Sequence, residues 1–229
     1  MNKETFTAFG RDCAAYARPG ARVLLIQPAD EHDLSLLDSE AAAIAERTEI
    51  PFVLAAFCVT DWNRELSPSE APPVFGSEGF SGGAEETRQW LEGDLLPALL
   101  ARFALPPDAP VILGGYSLAG LFALWCGYES SRFAAVAAAS PSVWFPGWIS
   151  CAESRACRAD FVYLSLGDRE EKTKNPIMAA VGGCIRRQYD LLPEGRRFLE
   201  WNEGNHFREP DLRTAKAFAW CVEAVCGRN

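Results

Sequence analysis

Six short runs of apolar residues recur along the chain and alternate with longer segments that have helical spacing. The runs are rich in Val, Ile, Leu, Phe and Tyr, and several are apolar on both faces, which is typical of strands in a covered parallel sheet. They span residues 22–27, 52–59, 110–115, 134–140, 161–167 and 196–201. Because strand and helix alternate throughout, we predict an α/β fold with a mostly parallel sheet of about six strands flanked by helices.

Apolar residues between these runs recur at intervals of three and four, the period of an amphipathic helix. The predicted helices cover residues 33–48, 84–103, 118–128, 175–192 and 211–226. Asp211 has a side chain that can cap the last of them at its N-terminus. No repeat, low-complexity tract or long linker divides the sequence, so we expect a single domain over residues 1–229.

Two stretches follow neither the strand nor the helix period. Residues 61–83 contain Pro and Gly at many positions, and residues 141–160 are rich in aromatic side chains. Both follow predicted strands and should leave the sheet at its carboxyl edge, where open α/β sheets bind ligands. We therefore expect these two loops to cover the functional site.

The charged residues are 22 Lys and Arg against 31 Asp and Glu, a formal net charge of −9. An acidic protein repels phosphate backbones and anionic lipid surfaces, so we expect neither nucleic acid nor a membrane as a partner. The eight cysteines include no C-x-x-C pair, which argues against a disulfide scaffold or structural zinc. The sequence has no signal-peptide pattern and no apolar stretch of the ~20 residues that a membrane span needs. We therefore expect a cytoplasmic location.

The strongest chemical signal is the stretch VILGGYSLAGLFALW, residues 111–125. It places Ser117 between a predicted strand and a predicted helix, with the small residues Gly115 and Ala119 two positions before and after it. A sharp strand-to-helix turn holds its serine in strained geometry and admits only small neighbours at these positions. The pattern predicts a nucleophile elbow in which the Leu118 amide faces a developing oxyanion. A simple tight turn is the alternative.

The chain has two histidines, and only one follows the serine. His206 lies in a turn-rich stretch between the sixth apolar run and the last predicted helix, where the base of this architecture is expected. His32 precedes the serine and follows the first run, so we interpret it as a loop histidine. His206 is therefore the predicted general base.

A carboxylate that orients the base should follow the fifth apolar run, and three are present there: Asp168, Glu170 and Glu171. All three satisfy the chain order Ser, acid, His. We favour Glu170, because a short turn after Gly167 would bring its side chain over the end of the strand. Asp168 and Glu171 remain open.

These motifs resemble those of the esterase family of α/β-hydrolases, which includes enterobactin esterases, S-formylglutathione hydrolase, feruloyl esterases and mycolyltransferases. The G-x-S-x-A-G pattern at residues 115–120 is similar to the mycolyltransferase version of the elbow. Residues 61–68, DWNRELSP, resemble a loop in the same place, and turns at 167–170 and 204–206 follow in matching order. The resemblance extends over residues 20–225 and implies the α/β-hydrolase fold and carboxylic ester hydrolysis.

The resemblance has two further implications. The family's sheet usually has eight strands. The resemblance of this chain starts at the third of them, so a trimmed sheet is expected. A second oxyanion donor should be a backbone amide just after the first apolar run, in residues 24–30. Because Pro28 has no N–H, we assign this donor to Ala29.

The residues then predict a serine esterase that acts on a small-molecule ester. Ser117 would attack the ester carbonyl, His206 would take its proton, and the carboxylate, for which Glu170 is favoured, would orient the imidazole. This chemistry needs no metal and no organic cofactor. The alternatives are a thioesterase or acyltransferase with the same triad and an inactive α/β-hydrolase-like binding module. The sequence leaves the oligomeric state open.

Aromatic rings in the two loops and beside the base are candidates for an apolar pocket. The predicted substrate-binding residues are Trp62, Trp144 and Phe207, and further candidates are Phe75, Phe80, Phe145 and Trp148. The alternative is that these rings fasten the loops to the sheet.

Three cations also lie in the neighbourhood of the predicted site. Arg64 is in the first loop, and Lys172 and Lys174 follow the three carboxylates. We interpret the two lysines as solvated charges that oppose Glu170 and Glu171, and contact with an anionic substrate is the alternative.

Overall fold

A computed structural model of the chain describes residues 1–74 and 76–227. All six predicted strands form within two residues of their expected bounds. In chain order the strands are β1 (Asn2–Ala8), β2 (Arg11–Ala17), β3 (Val23–Ala29), β4 (Phe52–Cys58), β5 (Glu70–Ala71), β6 (Phe80–Ser81), β7 (Val111–Tyr116), β8 (Ala135–Ala139), β9 (Phe161–Gly167) and β10 (Arg197–Asn202).

The predicted helices also form, and two of them are interrupted. The helices are α1 (Glu31–Ala45), α2 (Trp62–Glu65), α3 (Ala84–Trp90), α4 (Leu96–Arg102), α5 (Leu118–Glu129), α6 (Trp148–Glu153), α7 (Pro176–Ala179), α8 (Val181–Asp190) and α9 (Pro210–Cys226). A π-helical segment, Leu91–Leu95, joins α3 to α4, and Ala180 separates α7 from α8. No helix among the described residues is long and apolar enough to cross a membrane.

The predicted cap of the last helix is wrong. α9 begins at Pro210, a residue favoured at the first helical position because its ring already holds the helical φ. Asp211 therefore lies inside the first turn, where its negative charge faces the positive end of the helix dipole.

Eight strands form one sheet in the order β1-β2-β4-β3-β7-β8-β9-β10. β2 runs antiparallel to β1 and β4, and the remaining neighbours are parallel. The expectation of a trimmed sheet of about six strands is therefore wrong, because residues 2–17 add a hairpin. β1 is an edge strand with no fully buried residue, so its sequence has little of the apolar alternation that marks a strand.

Helices cover both faces of this sheet. α1 and α9 pack against each other on one face, where α9 crosses β7 and β8, and α5 packs on the other face against the same two strands. The central strands are buried on both sides, which explains why their sequences are apolar without alternation. Because β7, β8, β9 and β10 run parallel, their carboxyl ends lie side by side at one end of the strands.

α1 has one buried charged side chain, Glu40. Its Oε1 accepts a hydrogen bond from Nε2 of Gln27 in β3 at 2.9 Å. Burial raises the pKa of Glu40 to about 8, against the opposing effect of the Gln27 hydrogen bond, and the nearby Asp33 and Asp211 add to the rise. The folded protein therefore holds this group mainly neutral at pH 7, whereas the unfolded chain ionises it.

We expect Glu40→Gln to increase the free energy of unfolding at about pH 8 by about 2–5 kcal/mol and to change it little at about pH 4. The pKa of Glu40 is higher in the folded than in the unfolded state, so the wild type loses stability as the pH rises from 4.5 to about 8. Glutamine can still accept the Gln27 hydrogen bond and does not titrate. Urea unfolding of both proteins across this pH range tests the expectation, and an equal difference at both ends would contradict it.

Phe218 of α9 packs directly against Gly114 of β7. A Cβ at this position would lie 2.5 Å from Cζ of Phe218 and 2.9 Å from Cβ of Ala137. We expect Gly114→Ala to lower the free energy of unfolding by about 1–3 kcal/mol, because a close-packed core accommodates an added methyl group only with strain.

Gly183→Ala is the matched control for this substitution. Gly183 lies in α8, is exposed, and a Cβ there would meet nothing within 4 Å. Alanine should stabilise that helix by roughly 0.5–1 kcal/mol. Thermal unfolding compares the two variants, and the close packing of α9 on β7 would be contradicted if Gly114→Ala were as stable as the wild type.

Candidate active site

Ser117 is the single residue between β7 and α5. Its backbone has φ 58° and ψ −119°, a conformation that non-glycine residues rarely adopt and that costs about 1–3 kcal/mol. Backbone hydrogen bonds hold it there: its N–H donates to the Ala139 carbonyl at 3.1 Å, and its carbonyl accepts from Leu121 at 3.1 Å and from Ser142 at 3.0 Å. The strained turn thus presents the hydroxyl at the carboxyl edge of the sheet.

The residues around Ser117 are small because the turn is close-packed. A Cβ at Gly115 would lie 2.6 Å from Cβ of Ala119. A Cβ at Gly120 would lie 3.0 Å from the carbonyl oxygen of Gly115. The chain therefore has room for the sharp turn only with small side chains at these positions, as a nucleophile elbow requires.

The structure brings Ser117, His206 and Glu170 into one chain of hydrogen bonds. His206 Nε2 lies 3.0 Å from Ser117 Oγ, and its Nδ1 lies 2.7 Å from Glu170 Oε2. His206 belongs to the turn between β10 and α9, and Glu170 follows the end of β9. Three strand ends that are far apart in the sequence supply the three side chains.

The other two candidate carboxylates have different partners. Asp168 Oδ1 accepts a hydrogen bond from the Gly204 amide at 2.7 Å, which holds the turn that carries His206. Glu171 faces Arg186, at 3.5 Å, on the surface. Of the three carboxylates, Glu170 is the one that contacts His206.

The turn after β9 directs Glu170 back over the strand end. The Glu170 amide donates to the Gly167 carbonyl at 3.1 Å, and its Oε1 accepts from the Gly167 amide at 2.7 Å. A Cβ at Gly167 would lie 2.4 Å from the Gly204 carbonyl oxygen. The lack of a side chain at Gly167 thus lets the turns after β9 and β10 approach each other.

Arg213 lies behind Glu170, and the sequence patterns did not identify it. It is 2% exposed, and its Nη1 donates to Glu170 Oε1 at 3.1 Å and to the hydroxyl of Tyr116 at 3.0 Å. Its Nη2 donates to the carbonyl of Glu203 at 3.0 Å. Arg213 shares a face of α9 with the buried Cys221, and an arginine on an apolar helix face was the signal that could have revealed it.

Two serines that follow β8 also contact the site. Ser140 Oγ donates to Glu170 Oε1 at 2.8 Å, so that this oxygen has three donors and Oε2 is left for His206. Ser142 Oγ lies 3.3 Å from Ser117 Oγ. Neither serine belongs to a recognisable motif, because their positions depend on the neighbouring strands.

Tyr116 links the nucleophile turn to the turn that carries His206. Its hydroxyl donates to the His206 carbonyl at 2.7 Å, and the two rings are 5.1 Å apart. Burial raises the pKa of Tyr116 to about 12, so the phenol stays protonated and keeps this hydrogen bond at neutral pH.

The two predicted oxyanion donors lie in different surroundings. Leu118 is the first residue of α5, and the first amides of a helix have no partner within the helix. Its N–H follows Ser117 directly and belongs to the positive end of the helix dipole. The predicted donor at Leu118 is thus in a suitable position.

The assignment of the second donor to Ala29 is wrong. Ala29 ends β3 and pairs with Cys58 of β4, and its carbonyl accepts a hydrogen bond from the Val59 amide at 2.9 Å. In a parallel ladder the N–H and C=O of one residue point to the same neighbouring strand. The Ala29 amide therefore faces β4, whereas Ser117 follows β7 on the opposite side of β3.

A cleft of about 140 Å³ opens beside the hydrogen-bonded residues. Trp144 and Phe207 line it together with His206 and Glu170, and Phe207 is 86% exposed. Trp62 does not line this cleft and packs from α2 against the hydrophobic core, which agrees with the alternative interpretation of the loop rings.

The remaining candidate rings mostly fasten the loops. Phe80, Phe145 and Trp148 are buried, and the rings of Phe80 and Phe145 are 5.1 Å apart. Phe75 lies outside the described residues. His32 is exposed in the first turn of α1 rather than in a loop. Within the described part of the chain, no group of three or more His, Cys, Asp and Glu side chains could hold a metal ion.

No family sequence model and no curated protein matches the chain. Solved structures do match. An IroE-like serine hydrolase from Shewanella oneidensis has a TM-score of 0.78 at 15% identity, over 96% of this chain and 79% of that chain. Siderophore hydrolase EstA from Aspergillus nidulans has a TM-score of 0.69 at 18% identity, over 96% and 93%.

Enterochelin esterase from Shigella flexneri has a TM-score of 0.69 at 16% identity. The match covers 96% of this chain and 57% of that chain. At such low identities a structural likeness establishes the architecture, and function has to be argued from the site. The predicted α/β-hydrolase fold is confirmed, with a larger sheet than expected, and this chain shares that fold with these hydrolases.

Proposed function

We propose that this protein is a serine hydrolase of carboxylic esters. The observation that carries the proposal is the continuous hydrogen-bond chain from Glu170 through His206 to Ser117, with distances of 2.7 and 3.0 Å. A nucleophile, a base and a group that orients the base, all within hydrogen-bond reach, are what nucleophilic catalysis requires. Structural neighbours named serine hydrolase, siderophore hydrolase and enterochelin esterase support ester hydrolysis.

In the first half-reaction, Ser117 Oγ attacks the ester carbonyl carbon while His206 Nε2 takes the hydroxyl proton. The bond to the alcohol oxygen then breaks, and His206 returns the proton to that oxygen. Ser117 is left as an acyl ester. In the second half-reaction, His206 activates a water molecule that attacks the same carbon, and the acid leaves with Ser117 restored.

The tetrahedral intermediates carry a negative charge on the former carbonyl oxygen. The Leu118 amide, at the start of α5, is the donor that we assign to this oxyanion. The helix dipole adds a favourable field at the same place.

Arg213 is assigned a positioning role because it contacts Glu170 and not the reacting atoms. Its guanidinium and the Ser140 hydroxyl hold one carboxylate oxygen, which leaves the other oriented toward His206 Nδ1. Its positive charge also offsets part of the Glu170 charge that His206 experiences. Loss of Arg213 should therefore leave the buried Glu170 carboxylate without its charged partner and weaken its hold on His206.

We expect Ser117→Ala and His206→Gln each to lower the kcat for a short 4-nitrophenyl ester by about 10³- to 10⁶-fold. Glu170→Gln should lower it by about 10³- to 10⁴-fold, because glutamine cannot stabilise the imidazolium. A fluorophosphonate probe should label Ser117 in the wild type. Well-folded wild-type protein that neither reacts with the probe nor hydrolyses esters would overturn the proposed function.

Two substitutions serve as matched controls. Glu171→Gln changes the adjacent carboxylate, which faces Arg186 on the surface, and His32→Gln changes the exposed histidine of α1. Both should keep activity within about two-fold of the wild type. A loss with Glu171→Gln as large as that with Glu170→Gln would contradict the assignment of Glu170.

We expect Arg213→Met to lower kcat by about 10- to 100-fold and to change KM little, because Arg213 orients Glu170 and does not contact the reacting atoms. Arg213→Lys keeps the charge and should recover part of this loss. Ser140→Ala removes a neutral donor to the same oxygen and should reduce kcat by a smaller factor. A lowered melting temperature with an unchanged kcat in both Arg213 variants would indicate a structural role alone.

A further inference from the structure

The turn after β9 contains three acidic and two basic residues, and their side chains have different surroundings. Residues 168–172 read Asp-Arg-Glu-Glu-Lys. Asp168 is hydrogen-bonded to the Gly204 amide, and Glu171 faces Arg186 on the surface. These two acids are therefore engaged away from the cleft beside His206.

The third acid of the turn, Glu170, does line the cleft, but its charge is already compensated. Arg213 donates to one of its oxygens at 3.1 Å, and His206 lies 2.7 Å from the other. The residue is only 9% exposed, and both of its carboxylate oxygens are hydrogen-bonded. The Glu170 carboxylate thus contributes little negative potential to the cleft.

Arg169 and Lys172 line the same cleft as Trp144, His206 and Phe207. Both cations are exposed to solvent. Over residues 1–74 and 76–227, neither side chain has an ion-pair partner. A chain with a net charge of −9 therefore presents two uncompensated positive charges at the mouth of its candidate active site.

The position of His206 indicates which part of a substrate would reach these charges. This step rests on the proposed function, in which His206 returns a proton to the leaving alcohol oxygen. The alcohol part must therefore lie on the His206 side of the scissile bond, and the cleft with Arg169 and Lys172 begins there.

We propose that the cleft binds esters whose alcohol part carries a carboxylate. Arg169 and Lys172 would bind the carboxylate, the arginine through two parallel N–H groups and the lysine as a point charge. Trp144 and Phe207 would contact the apolar body between the carboxylate and the ester oxygen.

The test compares 4-carboxyphenyl acetate with 4-carbamoylphenyl acetate, two esters of similar shape that differ in charge. We expect the double variant Arg169→Gln/Lys172→Gln to lower kcat/KM for the carboxylate ester by about 5- to 30-fold, mainly through KM. The neutral ester should change by less than about two-fold. Raising the ionic strength from ~0.01 M to ~1 M, which shortens the Debye length to about 3 Å, should remove most of the wild-type advantage.

Arg158→Gln/Lys174→Gln is the matched control, since it removes the same charges. Both residues are exposed, and neither lines the cleft. The control should leave both esters within about two-fold of the wild type. An equal loss for both esters in the cleft variant, or an equal effect of the control variant on the carboxylate ester, would overturn the proposal.

A second pair of esters places the charge on the acyl side: 4-nitrophenyl hydrogen adipate and 4-nitrophenyl hexanoate. If the wild type prefers the charged ester in this second pair and not in the first, the carboxylate is bound on the acyl side, and the assignment to the alcohol part is overturned.

Failure of the proposed function can be told apart from failure of this proposal. If the wild type hydrolyses no ester, calorimetry measures binding of 4-carboxyphenyl acetate to Ser117→Ala, with and without the two cleft substitutions. Binding that weakens about 5- to 30-fold when the cations are removed would support the carboxylate site. Absent or unchanged binding would overturn it.

Discussion

The buried ion pair between Arg213 and Glu170 is the interaction on which the arrangement of the candidate site depends. Arg213 is 2% exposed and Glu170 is 9% exposed, so their charges are stable only with nearly complete hydrogen bonding. That requirement connects α9 to Tyr116 at the end of β7, to Ser140 after β8 and to the turn after β9. One side chain thus joins the elements that carry Ser117 and Glu170 and the helix that follows His206.

Close packing makes this connection possible. α9 approaches β7 at Gly114, where Phe218 occupies the space of a side chain, and Gly167 allows the turns after β9 and β10 to meet. The strained backbone of Ser117 persists because the ends of β7 and β8 hold it through hydrogen bonds. The strand ends and the hydrogen-bonded turns that follow them together set the distances between the reacting side chains.

Sequence patterns predicted the parts of the molecule whose physical cause is local. Apolar runs identified β3, β4 and β7 to β10, and the small residues around Ser117 identified the elbow, because burial and turn geometry both constrain residue type at short range. The hairpin of β1 and β2 was missed. β1 is an exposed edge strand with weak alternation, and β2, although its centre is buried, has none of the Val, Ile, Leu or Phe residues that each of β3, β4 and β7 to β10 contains. Ala29 was misassigned because the direction of its amide depends on strand pairing, which the sequence does not display.

Residue patterns were sufficient for the α/β class, the serine at a strand-to-helix turn and the order serine, acid, histidine along the chain. The folded chain was needed to show which of the three carboxylates after β9 contacts His206, that Arg213 holds this carboxylate, and that Arg169 and Lys172 line the cleft. The reason is that these contacts join strand ends 36 to 89 residues apart, where the position of an atom depends on sheet pairing and helix packing.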